Sequence, residues 1–195
     1  LAVHPSMPVR SVKELIALAK SRPGQLNYGT AGPATNPHIA GELLNMLGKV
    51  NIVAVHFKGG GPALIATISG EIDITFTNFS ETSAFVTAGR LRALGVSSAK
   101  RAPSMPDVPT VAETLPGFEF TTWQGLLAPR STPRPIVALL NERLRKAMAA
   151  PDQVKRFQER GLDVIASTPE EFAAHLQSEY QKWGSVIKER GMKAE

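Results

Sequence analysis

The sequence predicts an α/β fold, a doubly wound and mostly parallel sheet, on three observations. Apolar β-type runs of five to seven residues alternate with amphipathic segments of about ten, the pattern of strands joined by crossover helices. Capping boxes and Gly or Pro stops bound the amphipathic segments. The β-type runs end in short polar turns that lead straight into the next helix, as at Gly29-Thr30, Lys58-Gly59 and Thr77-Asn78.

The elements follow in order. The chain opens inside an apolar β-like run, LAVHPSMPVR. Ser11-Val-Lys-Glu14 then reads as a capping box, a hydroxyl that accepts from the backbone three residues on and a glutamate that reaches back. Val12, Leu15, Ile16 and Ala19 fall on one face of the helix it opens, and Arg22-Pro-Gly24 stops it. Leu26 to Tyr28 is a short strand that runs into the loop Gly29 to Pro37. His38 to Leu47 is helical, with Ile39, Leu43 and Leu47 as its seam and Gly48 as its stop. Asn51 to Phe57 is a strand, and Pro62 beyond Lys58-Gly-Gly-Gly61 marks a first helical position. Ile72 to Phe76, Ser80 to Thr87 and Leu91 to Val96 repeat the strand, helix, strand phrase, with Gly89 closing the helix.

A proline-rich passage, Ala102 to Pro109, ends this region, because proline continues neither a central strand nor a helix interior. After a short helix at Thr110 to Thr114 the grammar changes. Phe118 to Ala128 is strand-like with Trp123 in its middle. Thr132-Pro133 caps a helix from Pro135 to Ala149, a second helix runs from Asp152 to Arg160, and Leu162 to Ala166 is a short strand. Thr168-Pro-Glu-Glu171 is another capping box, opening a helix to about Arg190. Residues 121–195 thus hold too little sheet for their helices to cover.

Composition narrows the function. The 195 residues are 43% hydrophobic and 20% charged, with 22 basic and 17 acidic side chains giving +5, an ordinary globular balance. The basic excess is spread over both halves and sits beside Glu on helix faces, which argues against a nucleic-acid partner. There is no cysteine, so thiol catalysis, disulfides and zinc–thiolate sites are excluded. No G-x-S-x-G elbow or H-E-x-x-H motif occurs, and His4, His38, His56 and His175 lack metal-ligand spacing. The expectation is a binding protein without catalytic residues, metal or cofactor.

The candidate site lies where strands end, because open α/β sheets bind ligands outside the carboxyl ends of their strands. Gly29, Thr30, Ala31, Gly32, Thr35 and Asn36 offer backbone N–H groups, hydroxyls and a helix N-terminus to an anion. Lys58 and Gly59 end the next strand, and Thr77 and Asn78 the third. His38 opens a helix beside the first loop and is able to donate to a carboxylate. His56, between Val55 and Phe57, reads as a strand residue on the sheet's less apolar face. Trp123 is either core or a cleft wall.

Several stretches together carry a resemblance: HPSMPVRSVKELIALAKSRPGQLNYGTAG, PHIAGELL, FKGGGPALIATISGEIDITF, AGRLRALGVSSAKRAPSMPDVPTVAE, WQGLLAP and TPEEFAAHLQSEYQKWGSVIKERG. The chain resembles the solute-binding proteins of tripartite tricarboxylate transporters, the TctC or Bug family. The resemblance implies a type II periplasmic-binding-protein-like fold, a periplasmic location, a small carboxylate ligand and membrane permease subunits as partners. It implies that 1–120 is a complete second lobe and 121–195 the C-terminal part of the first, with a signal peptide and the front of the first lobe not present. The loop Gly29 to Asn36 would then cradle the carboxylate, and Lys58-Gly59-Gly60 would match the family's Lys-Gly-Gly turn. Phe76-Thr77-Asn78 stands where the family often has Phe-Asp-Asn, which favours a ligand whose far end is neutral or acidic. Exposed apolar surface on 121–195 is expected to make the chain self-associate or exchange segments. The alternative functions are the sensing domain of a regulator and, further off, an α/β-class hydrolase.

Overall fold

The computed structural model describes residues 1–103 and 105–192. Ser104, inside the proline-rich passage, and residues 193–195, at the end of the second expected region, lie outside the described residues. The chain divides into two compact units, Leu1–Thr122 with the chain end from Val186, and Trp123–Ser185.

The first unit is built on a five-stranded sheet of β1 (Ala2–Val3), β2 (Asn27–Thr30), β3 (Val53–His56), β4 (Ile74–Thr75) and β5 (Arg92–Ala93). Their spatial order is β3-β2-β4-β1-β5. β2 pairs parallel with β3 and with β4, in registers that set Thr30 opposite His56 and Gly29 opposite Thr75. β1 runs antiparallel to both β4 and β5. Four strands therefore point one way and β1 against them, a mixed sheet of the doubly wound kind.

Helices α1 (Val12–Ser21), α2 (Asn36–Gly48), α3 (Gly60–Ile68) and α4 (Phe79–Thr87) connect these strands. The double winding is visible in two neighbouring residues of β2. Tyr28 lies under α2, where a Cβ on Gly41 would come within 2.2 Å of its ring. Gly29 faces the opposite way, and a Cβ there would meet the Cβ of Ala63 on α3 at 3.3 Å. Successive strand residues point to opposite faces, so α2 and α3 cover the two sides of β2. Ala2, Leu64 and Leu91 form a core cluster on which Ile68, Phe85 and Val86 pack, seating α3 and α4.

Local chemistry sets most element ends. Ser11 Oγ accepts the Glu14 N–H at 3.2 Å, while the Glu14 carboxylate takes the N–H of Arg10 rather than that of Ser11. Val12, Leu15, Ile16 and Ala19 are buried as the periodicity requires. α2 ends differently from the expectation. Gly48 is its last helical residue, and the left-handed turn falls on Lys49 at φ 50. Gly48 is small for another reason: a Cβ there would sit 2.7 Å from Ile16 Cδ1 on α1. The buried face of α2 also shifts, to Ala40, Leu43 and Leu44 together with the polar Glu42 and Asn45. α3 starts two residues ahead of Pro62, because Gly59 at φ 115 turns the chain into the helix.

The second unit contains α5 (Arg134–Met148), α6 (Pro151–Gln158) and most of α7 (Pro169–Glu189). The Thr168 to Glu171 capping box is fully formed, with bonds of 2.8 and 3.2 Å. Two expected strands are absent. Residues 118–128 join no ladder, and neither do residues 162–166, where Ile165 is 83% exposed and Ala166 has φ 48. A β-type sequence becomes a strand only when a neighbouring edge supplies a ladder of hydrogen bonds. Residues 118–122 belong to the first unit, where the Phe120 N–H donates to the Ser97 carbonyl at 2.9 Å without a ladder forming, and no strand lies among the described residues of the second unit. No residue of Trp123–Ser185 is buried. Trp123 rests edge-on against Phe172 and His175 of α7, at 5.6 and 5.1 Å between ring centres, and donates its indole N–H to Glu179 at 3.1 Å.

Candidate functional site

Because β2, β3 and β4 are parallel, their carboxyl ends share one edge of the sheet, and α2, α3 and α4 each begin there. The outgoing connections diverge. The chain leaves β2 through α2 toward β3 on one side, and leaves β4 through α4 toward β5 on the other. The gap between the ends of β2 and β4 is therefore a topological switch point, where an open α/β sheet forms a crevice.

One lip is the passage from β2 into α2. Gly29 and Thr30 are the last two residues of the strand and are buried, so the turn proper starts at Ala31. Gly32 at φ 129 and Ala34 at φ 54 bend it tightly. Thr35 Oγ1 donates to the Gly32 carbonyl at 2.7 Å, and Thr30 Oγ1 both donates to that carbonyl at 3.3 Å and accepts the Gly32 N–H at 3.2 Å. The two hydroxyls thus hold the loop's shape. Asn36, exposed at the start of α2, places its amide 3.5 Å from Thr122 Oγ1.

The floor of this lip is a cluster that sequence reasoning did not assemble. His56, at the carboxyl end of β3, brings Nδ1 to 2.6 Å from Thr30 Oγ1. Its ring meets that of His38 edge-on, 4.7 Å between centres. His38 Nδ1 accepts the Ala34 N–H at 3.0 Å, which places the proton of the neutral ring on Nε2. Burial holds the His38 pKa below its ordinary value, helped by the charge of His56 and opposed by Glu42. The signal in the sequence was positional: His56 is two residues ahead of Lys58 and closes the strand next to Thr30.

Below, the Tyr28 hydroxyl donates to Glu42 Oε1 at 2.8 Å, and Arg190 Nε donates to Glu42 Oε2 at 2.5 Å. Burial, then the Glu42 carboxylate, pushes the Tyr28 phenol far up, so it stays neutral.

The other two segments complete the rim. Lys58 is exposed, and the backbone N–H groups of Ala31, Gly60 and Gly61 have no acceptor among the described residues. Those of Gly60 and Gly61, at the start of α3, carry partial positive charge. Thr77 Oγ1 pairs with Thr75 Oγ1 at 2.6 Å, and the Asn78 amide donates to Glu81 at 3.2 Å. The structure brings Thr30, His38 and His56 into direct contact, and sets Lys58, Gly59, Thr77 and Asn78 along the same edge. Among the described residues no group of three or more His, Asp or Glu side chains is placed to hold a metal ion. None of the described helices is long and apolar enough to cross a membrane.

A mostly parallel sheet with a topological switch point, rimmed by helix N-termini, defines an α/β domain of the doubly wound class. The chain belongs to the tripartite tricarboxylate transporter receptor family, whose model matches residues 1–192. It is 36% identical over its whole length to the UPF0065 protein in the tcbD-tcbE intergenic region of Pseudomonas sp. strain P51, covering 58% of that protein. The solved structure of R. palustris Rpa4515 with adipate matches 98% of the chain with a TM-score of 0.90 at 33% identity, and 64% of that protein is covered. The periplasmic binding protein BugD matches all of it with a TM-score of 0.86 at 28% identity, 66% of BugD being covered. The chain therefore spans about three fifths of the length of the curated relative and under two thirds of these structures. The fold is that of periplasmic binding proteins.

Proposed function

We propose that this chain is the ligand-gripping part of a periplasmic solute receptor that captures a small carboxylate and delivers it to membrane permease subunits of a tripartite tricarboxylate-type uptake system. In this reading residues 1–120 are the second lobe and 121–195 the returning part of the first. The observation that carries it is the convergence of three strand ends and three helix N-termini on the crevice between β2 and β4. The carboxylate sits against the Gly29, Thr30, Ala31, Gly32, Thr35 and Asn36 turn, within reach of His38 and of the Lys58-Gly59 turn. Thr77 and Asn78 face the ligand's far end. The β4 end, Phe76-Thr77-Asn78, has no acidic residue of its own, and the similar Rpa4515 is solved with adipate, so a plain dicarboxylate fits better than an aminated one.

Thermal unfolding of the protein that carries this chain, with adipate, succinate, malate and glutamate in turn, tests the reading. A dicarboxylate at a hundredfold excess over its Kd adds about 2.7 kcal/mol of stability. Stabilisation by a plain dicarboxylate, with the compound recovered unchanged, is the expected result. Stabilisation by none of the four, or turnover of one, overturns it.

A further inference from the structure

We infer that His56 is a ligand-contacting residue of this rim and carries the proton that accompanies a carboxylate into the site, while His38 beside it is kept neutral. The inference rests on the reading that the rim takes a carboxylate. His56 closes β3 directly opposite Thr30, is exposed, and has Nδ1 committed to Thr30 Oγ1 at 2.6 Å. Its Nε2 has no partner among the described residues and is the nitrogen left for a ligand.

The hydrogen bonds divide the two rings by role. A proton added at His38 Nδ1 displaces the Ala34 N–H that this nitrogen accepts at 3.0 Å, and so unpins the loop. A proton added at His56 displaces nothing. Thr30 Oγ1 already accepts from Gly32 N–H and can send its own hydrogen to the Gly32 carbonyl, which leaves a lone pair for His56 Nδ1–H. With ring centres 4.7 Å apart, a charge on one histidine disfavours a charge on the other. The depressed pKa of His38 fits this division.

The surrounding charges leave His56 the responsive group. From α2, Glu42 stands behind His38 but is engaged by Tyr28, Asn45 and Arg190. From β2 only the neutral Tyr28 and Thr30 approach, and α3 carries no titratable residue. Lys58 lies two residues further along and is exposed. A carboxylate arriving at His56 Nε2 can take a hydrogen bond from the neutral Nε2–H tautomer, but the ion-paired bond from the imidazolium is the stronger one, so binding favours uptake of a proton from solvent.

Calorimetric titration with the dicarboxylate that stabilises most among adipate, succinate and malate tests this. It is run between about pH 6 and about pH 8, in two buffers of different ionisation enthalpy. The expected result is net proton uptake and an affinity that falls as pH rises, by at most about tenfold per pH unit. His56→Asn, which keeps a partner for Thr30, binds more weakly with neither uptake nor pH dependence, whereas His38→Gln keeps the uptake. A wild-type protein that binds without proton uptake, or a His56→Asn variant that retains it, overturns the inference and leaves the carboxylate reading standing. Binding of none of the three removes both. Should His56→Asn fail to fold, proton uptake by the wild-type protein decides.

Discussion

Glu42 and Arg190 lie 148 residues apart in the sequence and meet at 2.5 Å, Nε to Oε2. The carboxylate is nearly enclosed while the guanidinium is one third exposed. Removing the cation strands a nearly enclosed charge that Tyr28 and Asn45 satisfy on one oxygen only. Arg190→Ala is expected to lower the unfolding free energy by about 1–3 kcal/mol. Pairing it with Glu42→Gln should recover part of that loss, measured by urea denaturation.

His38 gives the fold an acid-side dependence. Its folded pKa lies below the unfolded value near 6.5, so the unfolded chain binds more protons as pH falls through that value. Stability is full above about pH 6.5 and declines as pH drops toward the depressed folded pKa. In His38→Gln the decline in urea midpoint over this window should be shallower than in the wild type.

Glu113 acts in the same sense, in a more acidic window. The Arg101 guanidinium grips it through two bonds of 2.7 and 2.8 Å and the Thr110 N–H adds a third at 3.0 Å, lowering its pKa to about 2. Its contribution is present above the ordinary carboxylate range and fades as pH falls through that range toward about 2. Carboxyl-carbon NMR should place Glu113 there, and Arg101→Ala should move it up, short of the ordinary value because the Thr110 bond remains.

Gly41 and Gly61 separate packing from site. Alanine at Gly41 drives a methyl to within 2.2 Å of the Tyr28 ring, and overpacking of this kind costs about 1–3 kcal/mol or more. Alanine at Gly61 meets nothing within 4 Å and should leave the unfolding midpoint near that of the wild type. Chemical denaturation of the two variants checks the contrast.

The second unit exposes Leu126 (75%), Leu127 (78%), Ile136, Leu139, Leu140 and Leu144, and apolar patches of this extent drive association. The 195-residue polypeptide produced alone should scatter light as a species heavier than its 20.9 kDa. A stable monomer at that mass would be the contrary result.

The residues that announced the fold are those whose role is local. Ser11, Thr168 and Glu171 form the caps that their spacing requires, and Val12 to Ala19 bury the face their period selects. Roles set by a distant partner were illegible. Gly48 looked like a helix stop but is small because Ile16 approaches it. Residues 118–128 and 162–166 have strand composition, yet pairing depends on an edge that composition does not reveal. At the site, the edge shared by Thr30, Lys58 and Thr77 followed from parallel topology alone. The contact of His56 with Thr30 and His38 depends on register, which a period of two leaves open by whole steps.

The divergence of the chain at β2 and β4 has an evolutionary side. Each lip of the crevice belongs to a different crossover, one ending in β3 and the other in β5. The Thr77-Asn78 turn leads into α4, and its side-chain bonds to Thr75 and Glu81 are separate from the pairing of Thr30 with His56. On the proposed carboxylate reading, descendants of one ancestor can therefore diversify what is accepted at one lip while inheriting an unaltered grip at the other.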